Sequence, residues 1–302
     1  MRVLVTGAAG YVGYAVGRRL VAAGHEVDGL VRGPEAALPP RVRPVVADLL
    51  GPVALGTYDA VCHLAALTRV RESFADPLGF YATNVQGTVN LLRALRGGER
   101  VVYGSTAAVY GTPERQPIPE DEPPAPGNPY GASKLAAEQL VRFRARTGAI
   151  GAVVLRTFNV AGSVDGRGDP DRTRLIPKAL AVAAGRAPHL EINGDGAAVR
   201  EYLHVDDLAT AYVRALDAAS PGEERIYNVG SGTGASVAQV VDAVRAVTGR
   251  PVPALHKPPQ PEPPVLVSDS AAIRRDLGWR PERSSLTEII EGAWSALPAR
   301  EG

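Results

Sequence analysis

The chain has 302 residues, a formal net charge of +1 and a single cysteine, Cys62. The length allows one large domain with a smaller partner, and the near-neutral charge gives no reason to expect nucleic acid or an anionic membrane as a partner. One cysteine forms no internal disulfide, and the sequence contains neither a recognisable signal peptide nor an apolar run of about 18 residues. We therefore expect a globular protein of the cytoplasm.

The first half of the sequence alternates short apolar runs with helix-like stretches. The predicted strands lie within 2–10, 25–32, 42–49, 58–66, 100–111 and 151–160, and the predicted helices are 11–24, 78–95 and one that opens at 128. Strands separated by helices of this length predict a parallel sheet covered on both faces, which is a doubly wound, Rossmann-type α/β fold.

The second half of the sequence shows a less regular alternation of predicted strands and helices. Gly- or Pro-rich segments at 162–174 and 257–265 cannot be regular helices, and helix-like stretches fill 175–185, 206–219 and 236–248. We expect residues 1–160 to form a dinucleotide-binding domain, joined by part of 201–222. Residues 161–302 are then a smaller α/β domain that binds the substrate.

A glycine-rich turn joins the first predicted strand to the first predicted helix. The stretch TGAAGYVG places Gly7, Gly10 and Gly13 there. Glycine lets the backbone turn tightly and approach a pyrophosphate, and a helix N-terminus offers unpaired N–H groups. The position between strand and helix favours a dinucleotide site over a glycine turn without a ligand.

The end of the second strand bears on the choice of dinucleotide. Many such folds carry an acid there for the adenosine ribose, whereas an arginine can meet a 2′-phosphate. This chain has Val31 and Arg32 at that place, and Asp28 lies inside the strand. NADP therefore stays open beside NAD, although Arg32 is equally well interpreted as a solvated surface residue. Asp48 and Leu49, after the third strand, are candidates for the adenine edge.

Tyr130 and Lys134 lie four residues apart in NPYGASKLAAEQL, so a helix places both on one face. The stretch is an ordinary helix start, with Asn128 as a possible cap, and also a possible proton relay. A tyrosine has a pKa of about 10, which a nearby ammonium group lowers. In GSTAAVYG, Ser105 and Thr106 offer hydroxyls at the sheet edge where α/β folds bind ligands.

Two histidines and the cysteine have simpler interpretations. His63, His204 and Cys62 lie in apolar, strand-like stretches. We interpret the histidines as core residues with satisfied hydrogen bonds, and the cysteine as a buried strand residue. No pair of His, Cys or carboxylate residues shows metal-ligand spacing, so we expect no metal.

Several motifs, taken together and in order, resemble the extended short-chain dehydrogenase/reductases. Among these, the closest resemblance is to nucleotide-sugar 4-epimerases of the UDP-galactose 4-epimerase type. The motifs are TGAAGYVG, HLAA (63–66), NVQGT (84–88), GSTAAVYG, YGASK, LRTFNV (155–160) and VREYLHVDDLA (199–209). The segment DLGWRPERSSLTEII (276–290) is similar to the ending of those enzymes.

The resemblance implies roles for the matching residues. Tyr130 is the expected base, Lys134 lowers its pKa and holds the nicotinamide ribose, and Thr106 is the hydroxyl partner. The expected cofactor contacts are Gly7, Gly10, Tyr11, Val12, Gly13, Arg32, Asp48, Leu49, Leu64, Ala65, Ala66, Asn84, Ser105, Tyr130 and Lys134. The expected substrate contacts are Thr106, Tyr130, Asn159, Leu175 and Arg200, with Asn159 and Arg200 on the diphosphate.

The sequence also departs from related patterns. Sugar dehydratases of the superfamily carry an Asp-Glu pair where this chain has Ala107 and Ala108, and methyl groups exchange no protons. The acid expected at 31 is a valine, and the arginine and aspartate of the RxGD segment are not cleanly present in HKPPQPEPP, where His256, Lys257 and Glu262 are loose candidates. The alanines favour redox chemistry at one carbon, whereas the other departures bear on the cofactor and the diphosphate contacts.

The resemblance therefore implies a nucleotide-sugar 4-epimerase that oxidises C4 transiently with bound NAD and acts on a sugar that is UDP-linked. A keto-sugar reductase using NADP is the alternative that Arg32 favours. A dinucleotide-sensing protein without turnover is a second alternative, which the Tyr130–Lys134 pair disfavours. The family resemblance also implies a homodimer formed by the helix near 78–95 and the helix that carries Tyr130.

Overall fold

The computed structural model describes residues 1–259 and 262–297. Its strands are β1 Arg2–Thr6, β2 Glu26–Val31, β3 Arg43–Val46, β4 Ala60–His63, β5 Arg100–Thr106, β6 Gly151–Thr157, β7 Asn159–Ala161, β8 Ser163–Val164, β9 Arg167–Gly168, β10 Leu190–Asn193, β11 Val199–His204, β12 Glu224–Val229, β13 Gly234–Ser236, β14 Ala254–Lys257 and β15 Val265–Leu266. Its α-helices are α1 Tyr11–Ala22, α2 Val70–Ala75, α3 Pro77–Tyr81, α4 Gly87–Ala94, α5 Pro129–Arg146, α6 Leu175–Ala183, α7 Val205–Ala218, α8 Val237–Thr248, α9 Ala271–Leu277 and α10 Leu286–Ser295.

Seven strands form one parallel sheet in the order β12-β6-β5-β4-β1-β2-β3. The strand order reverses at β1, which pairs with β2 on one side and β4 on the other. Ligands of open α/β sheets bind beside such a switch point, at the carboxyl ends of the strands. The predicted Rossmann-type fold is therefore confirmed.

Both faces of the large sheet are buried, as a parallel sheet requires. On one face, Val3 and Val5 pack against α1 and α7, with Leu208 and Tyr212 in the same apolar cluster. On the other face, Leu4 and Val61 belong to a cluster that includes residues of α4 and α5. The strand residues alternate between the two clusters because successive side chains point to opposite faces.

The C-terminal part adds a third apolar cluster and three small sheets. The cluster unites α6, α8 and α10, with Ile176, Val240 and Ile289 fully or almost fully buried. β7, β13 and β15 pair with β11, β10 pairs with β14, and β8 pairs with β9. The predicted division into domains stays a prediction, and the large sheet also takes in β12 from beyond residue 222.

Two differences from the predicted elements bear on the site. The helix predicted over 78–95 contains a π-helical segment, Ala82–Gln86, between α3 and α4. Such segments occur often at functional sites, and this one carries Asn84. The strand predicted over 100–111 ends at Thr106, where a 3₁₀ turn, Ala107–Tyr110, begins. Within the described residues, no helix is both long and apolar enough to span a membrane.

Candidate active site

The glycine turn after β1 forms a backbone cradle at the N-terminus of α1. Gly7 has φ +69°, and a Cβ on Gly13 would lie 2.1 Å from the Gly7 carbonyl oxygen. Gly10 is the N-cap of α1, where no side chain caps the helix and the first turn holds no acid. Free helix N–H groups beside a turn that excludes side chains fit a pyrophosphate. The predicted cofactor contacts Tyr11 and Val12 are half-buried in this turn.

The segment after β4 lies against the same cradle. Thr6 Oγ1 accepts hydrogen bonds from the amides of Leu64 and Ala65, both at 3.1 Å. A Cβ on Gly7 would lie 2.9 Å from the Ala65 nitrogen. Leu64, Ala65 and the next predicted contact, Ala66, are therefore held beside the glycine turn, at the switch point between β1 and β4.

His63 holds this segment in place through hydrogen bonds at both of its ring nitrogens. Its Nδ1 lies 2.7 Å from Thr6 Oγ1 and its Nε2 lies 2.9 Å from Thr88 Oγ1, which itself donates to the Asn84 carbonyl. Because Thr88 gives its only proton to that carbonyl, His63 carries its proton on Nε2 and accepts at Nδ1. Burial and the Lys134 charge lower the pKa of His63 to about 3. The interpretation of His63 as a satisfied core histidine is confirmed.

His204 differs from that interpretation. It is fully buried and its Nδ1 accepts from the Asp206 amide at 3.0 Å, as the N-cap of α7. Its Nε2, however, has no hydrogen-bond partner among the residues that the structure describes. A Cβ on Gly162 would lie 2.7 Å from that nitrogen, so the backbone of Gly162 packs against the ring and leaves no room for a side chain there.

The region predicted to bind the adenosine end of the cofactor carries two exposed polar residues, Arg32 and Asp48. Arg32 is exposed at the end of β2, as predicted, and Asp48 is exposed after β3, where its Oδ1 accepts from the Leu50 amide at 2.9 Å. Leu49 is buried. Asp28 does not take the place of the missing acid: burial raises its pKa, but hydrogen bonds from Arg2, Arg43 and Tyr58 outweigh this and lower it. That carboxylate is engaged inside the fold.

Tyr130 lies at the start of α5, opposite the end of β5. Asn128 caps the helix by accepting from the Gly131 amide at 2.8 Å. The Tyr130 side chain lies beside Thr106, the last residue of β5. Burial raises the pKa of Tyr130, while the neighbouring Thr106 side chain and the charge of Arg174 lower it. The effect of Lys134 on Tyr130 therefore stays a prediction, and Arg174 is a cation near the base that sequence reasoning missed.

Lys134 follows one turn later and is 4% exposed. Its Nζ lies 4.2 Å from the centre of the Tyr103 ring, and the Tyr103 hydroxyl donates to the Lys134 carbonyl at 3.3 Å. Burial lowers the pKa of Lys134 to about 7, and Glu138 opposes this. The lysine is therefore held over β5 by an aromatic face, close to its point of charge change at neutral pH.

Asn84 connects two parts of the cofactor side. Its Oδ1 accepts from the Leu67 amide at 2.8 Å, and its Nδ2 donates to the Leu67 carbonyl and to Ser133 Oγ. Ser133 in turn donates to the Tyr130 carbonyl at 2.8 Å. The π-helical segment thus ties the loop after β4 to the first turn of α5, and a direct contact of Asn84 with the cofactor stays a prediction.

The three remaining predicted substrate contacts lie on three further elements. Asn159, in β7, donates to the Glu201 carbonyl at 3.1 Å, and the paired strand β11 carries Arg200. Arg200 donates to Glu262 Oε2 at 2.8 Å. Leu175 is the half-buried first residue of α6, directly after Arg174. β7 and β11 therefore bring Asn159 and Arg200 onto neighbouring strands, while Leu175 lies on α6.

Ser105 makes a contact that sequence reasoning did not foresee. Its hydroxyl donates to Glu138 Oε2 at 2.7 Å, and Glu138 is fully buried. Arg156, only 2% exposed, donates to the same carboxylate at 2.6 Å. The sequence shows only that Tyr130, Lys134 and Glu138 recur at intervals of four on one helix face, and this spacing does not by itself bury Glu138.

Within the described part of the chain, no group of three or more His, Cys, Asp or Glu residues could hold a metal ion. A Rossmann sheet with a glycine cradle at its switch point, and a Tyr/Lys/Thr set at the same edge, defines a dinucleotide-dependent enzyme. The sequence model of the NAD dependent epimerase/dehydratase family matches residues 3–230. The chain belongs to this family, so the predicted resemblance and the NAD cofactor are confirmed.

Individual relatives extend over nearly the whole chain. A UDP-glucose 4-epimerase of Corynebacterium glutamicum is 40% identical, over 99% of this chain and 96% of the relative. A UDP-glucose 4-epimerase of Streptomyces lividans is 41% identical, over 96% of this chain and 94% of the relative. The crystal structure of UDP-glucose-4-epimerase from Stenotrophomonas maltophila, with bound NAD and formylated UDP-arabinopyranose, superposes with a TM-score of 0.89. It is 31% identical and covers 98% of this chain and 97% of that one.

Proposed function

We propose that this protein is an NAD-dependent epimerase that inverts the configuration at C4 of a UDP-linked sugar. The observation that carries the proposal is the position of Tyr130 beside Thr106 at the carboxyl edge of the sheet, with Ala107 and Ala108 next in the chain. This arrangement supports one proton-transfer group without a neighbouring acid/base pair, because the alanine methyl groups exchange no protons. The UDP-glucose 4-epimerases to which the chain is similar support the nucleotide and the position.

In the proposed mechanism, the Tyr130 oxygen takes the proton of the sugar C4 hydroxyl, while Thr106 donates to that hydroxyl or to the tyrosine. Bound NAD would supply the hydride chemistry at C4, as acceptor in the first half-reaction and as donor to the opposite face of the sugar in the second. The Lys134 ammonium group stabilises the Tyr130 phenolate. Arg200 and Asn159 hold the diphosphate, and the sugar turns between the two half-reactions because it is held less firmly than the diphosphate.

The glycine cradle supports the cofactor part of the proposal. Gly7, Gly10 and Gly13 admit a pyrophosphate against the N-terminus of α1, and Leu64 and Ala65 line the neighbouring switch point. The segment that ends β2 carries no acid for the adenosine ribose, so NAD is held from the phosphate and nicotinamide ends. The position of Lys134 on α5, one turn after Tyr130, supports its proposed role in binding the nicotinamide ribose.

The test begins with the cofactor. Purified protein is denatured, and the released dinucleotide and any nucleotide sugar are identified by mass spectrometry. The native protein is then incubated with UDP-glucose or UDP-galactose, and the epimer ratio is followed without added cofactor. Approach to the same ratio from both sides supports the proposal. Net consumption of added NADPH without epimer exchange contradicts it and favours a reductase.

We also propose that the protein is a homodimer and that it works in the cytoplasm. Phe74, Leu78 and Phe143 are 64%, 81% and 60% exposed, and they lie on α2, α3 and α5, which contact one another. Apolar side chains exposed on adjoining elements favour a covered interface. The single cysteine, Cys62, is buried and free, which suits a reducing compartment.

A further inference from the structure

Three residues on one face of α5 reach the catalytic edge of the sheet. Tyr130, Lys134 and Glu138 are spaced by four, so they follow one another along the helix over about 12 Å. The first two belong to the proposed mechanism, whereas Glu138 has no part in it. A fully buried carboxylate is costly unless it is paired and hydrogen-bonded, so its place on this face requires an explanation.

Glu138 accepts hydrogen bonds from two neighbouring strands. Ser105 donates to Oε2 at 2.7 Å, and Arg156 donates to Oε1 at 2.6 Å and to Oε2 at 3.2 Å. Ser105 and Arg156 are direct partners in the register of β5 and β6. The carboxylate therefore fastens α5 to the ends of both strands. Ser105 immediately precedes Thr106, whose side chain lies beside Tyr130.

A second contact fastens the same strand to the same helix one turn earlier. Tyr103, two residues before Ser105 and on the same side of β5, lies beneath the Lys134 ammonium group at 4.2 Å. Among the described residues, five charged or titratable groups surround Lys134: Tyr130 and Glu138 on its own helix, Tyr103 on β5, His63 on β4 and Arg156 on β6. Of these, Arg156 forms an ion pair with Glu138. Glu138 is the anion in this set.

We propose that Glu138 is a positioning residue: its carboxylate holds Ser105, and through it Thr106, against the helix that carries Tyr130, and it supplies a buried negative charge one turn from the Lys134 ammonium group. This inference rests on the proposed function. Burial alone lowers the pKa of Lys134, and Glu138 opposes that lowering. Without Glu138, Lys134 loses its proton at a lower pH and stabilises the phenolate less.

The experiment compares four variants of the full chain with bound NAD. Glu138→Gln removes the charge, Glu138→Asp keeps it, and Ser105→Ala removes only the contact to β5. Glu99→Gln is the matched control, because Glu99 is also buried but accepts from the Arg96 and Gly97 amides in the loop before β5. For each variant we measure kcat and KM across pH, the bound NAD and the thermal unfolding.

We expect Glu138→Gln to lower kcat at least tenfold with KM within threefold of wild type, and to shift the alkaline limb of kcat to lower pH. We expect Ser105→Ala to lower kcat without that shift, Glu138→Asp to restore the limb, and Glu99→Gln to change neither. A folded Glu138→Gln with the wild-type pH profile overturns the inference. If Glu138→Gln does not fold, an unchanged kcat in Ser105→Ala overturns it.

One measurement is independent of turnover. Crystal structures of wild type and Ser105→Ala give the distance from Thr106 Oγ1 to the Tyr130 hydroxyl oxygen, which we expect to lengthen in the variant. An unchanged distance contradicts the inference even if wild type turns over. Wild-type protein that exchanges no UDP-sugar epimers instead counts against the proposed function, and the crystallographic distance still decides the role of the Glu138–Ser105 contact.

Discussion

Arg200 donates a hydrogen bond to Glu262 at 2.8 Å, across a sequence separation of 62 residues. The side chain of Arg200 is 17% exposed and the side chain of Glu262 is 43% exposed. A carboxylate and a phosphate group both offer anionic oxygen acceptors to a guanidinium group, so a phosphate can replace Glu262 as the partner of Arg200. We therefore expect Glu262 to leave Arg200 when the diphosphate binds.

Replacement of Arg200 should weaken substrate binding more than it slows the chemistry. A hydrogen bond to a charged group contributes about 1.5–3 kcal/mol, so Arg200→Met should raise the Kd for UDP roughly ten- to hundredfold, with kcat little changed. Isothermal titration with UDP measures this. Arg225→Met, which alters an exposed strand arginine paired with Glu223, is the control. An unchanged Kd in Arg200→Met excludes Arg200 as a diphosphate ligand.

Loss of the Tyr130 hydroxyl should abolish turnover and leave the cofactor bound. General base catalysis contributes about 10²- to 10⁴-fold, so kcat of Tyr130→Phe should fall by that factor. Tyr58→Phe removes the hydroxyl of another buried tyrosine, one that donates to Asp28 at 3.1 Å, and should keep kcat. Initial rates and the NAD content of both variants are compared. Wild-type kcat in Tyr130→Phe removes the base from the mechanism.

Local patterns predicted most of the site. The glycine cradle and the Tyr130–Lys134 pair each depend on spacing within one element, which a sequence displays directly. Asn159 and Arg200 are far apart in the chain and were placed by family resemblance, and the pairing of β7 with β11 puts them on adjacent strands. Such residues need tertiary information, because strand pairing across tens of residues leaves no periodic signal.

Other parts could not be predicted from the sequence. Glu138 has the i, i+4 spacing from a lysine that is typical of a solvated helix face, and only the packing of α5 on β5 and β6 makes it buried. The predicted strands do not include residues 224–229, yet β12 joins the large sheet beside β6. The partner of Arg200, Glu262, lies in a Pro-rich segment whose path no local rule sets.

His63 should make stability depend on pH in the acid range. Burial and the Lys134 charge lower its pKa from 6.5 to about 3 in the folded protein. The unfolded chain therefore binds a proton between these values that the folded chain does not, so stability is complete above pH 6.5 and falls as pH decreases toward 3. The contribution lost between pH 7 and pH 5 is about 2 kcal/mol.

Denaturant unfolding of wild type and His63→Gln at these two pH values measures that loss. The variant should be less stable at pH 7, because it loses contacts with Thr6 and Thr88, but its stability should change less with pH. His256→Gln, at an exposed histidine, should keep the wild-type dependence. Equal pH dependence in wild type and His63→Gln shows that His63 does not stay neutral inside the fold.

A charge at the exposed apolar surface should separate the proposed dimer. Leu78 is 81% exposed on α3, so Leu78→Glu buries no charge in the monomer but places one in the interface. Light scattering after size-exclusion chromatography should give two chains for wild type and one for the variant. Leu255→Glu, which changes a 45% exposed leucine on β14, should stay dimeric. A wild-type protein with the mass of one chain contradicts the dimer.

Two glycines of α1 allow a matched test of the cofactor cradle. A Cβ on Gly13 would lie 2.1 Å from the Gly7 carbonyl oxygen, a backbone atom that cannot move without opening the turn. A Cβ on Gly17 meets its nearest atoms, on Pro39 and Val42, at 3.5 Å, which is ordinary contact. Gly13→Ala should therefore displace the turn and lose bound NAD, whereas Gly17→Ala should keep it.

Alanine is also favoured over glycine inside a helix by about 0.5–1 kcal/mol, so Gly17→Ala should unfold at a slightly higher temperature. The ratio of NAD to protein after gel filtration, together with thermal unfolding, distinguishes the two variants. If Gly13→Ala retains a full complement of NAD, the pyrophosphate does not bind against this turn.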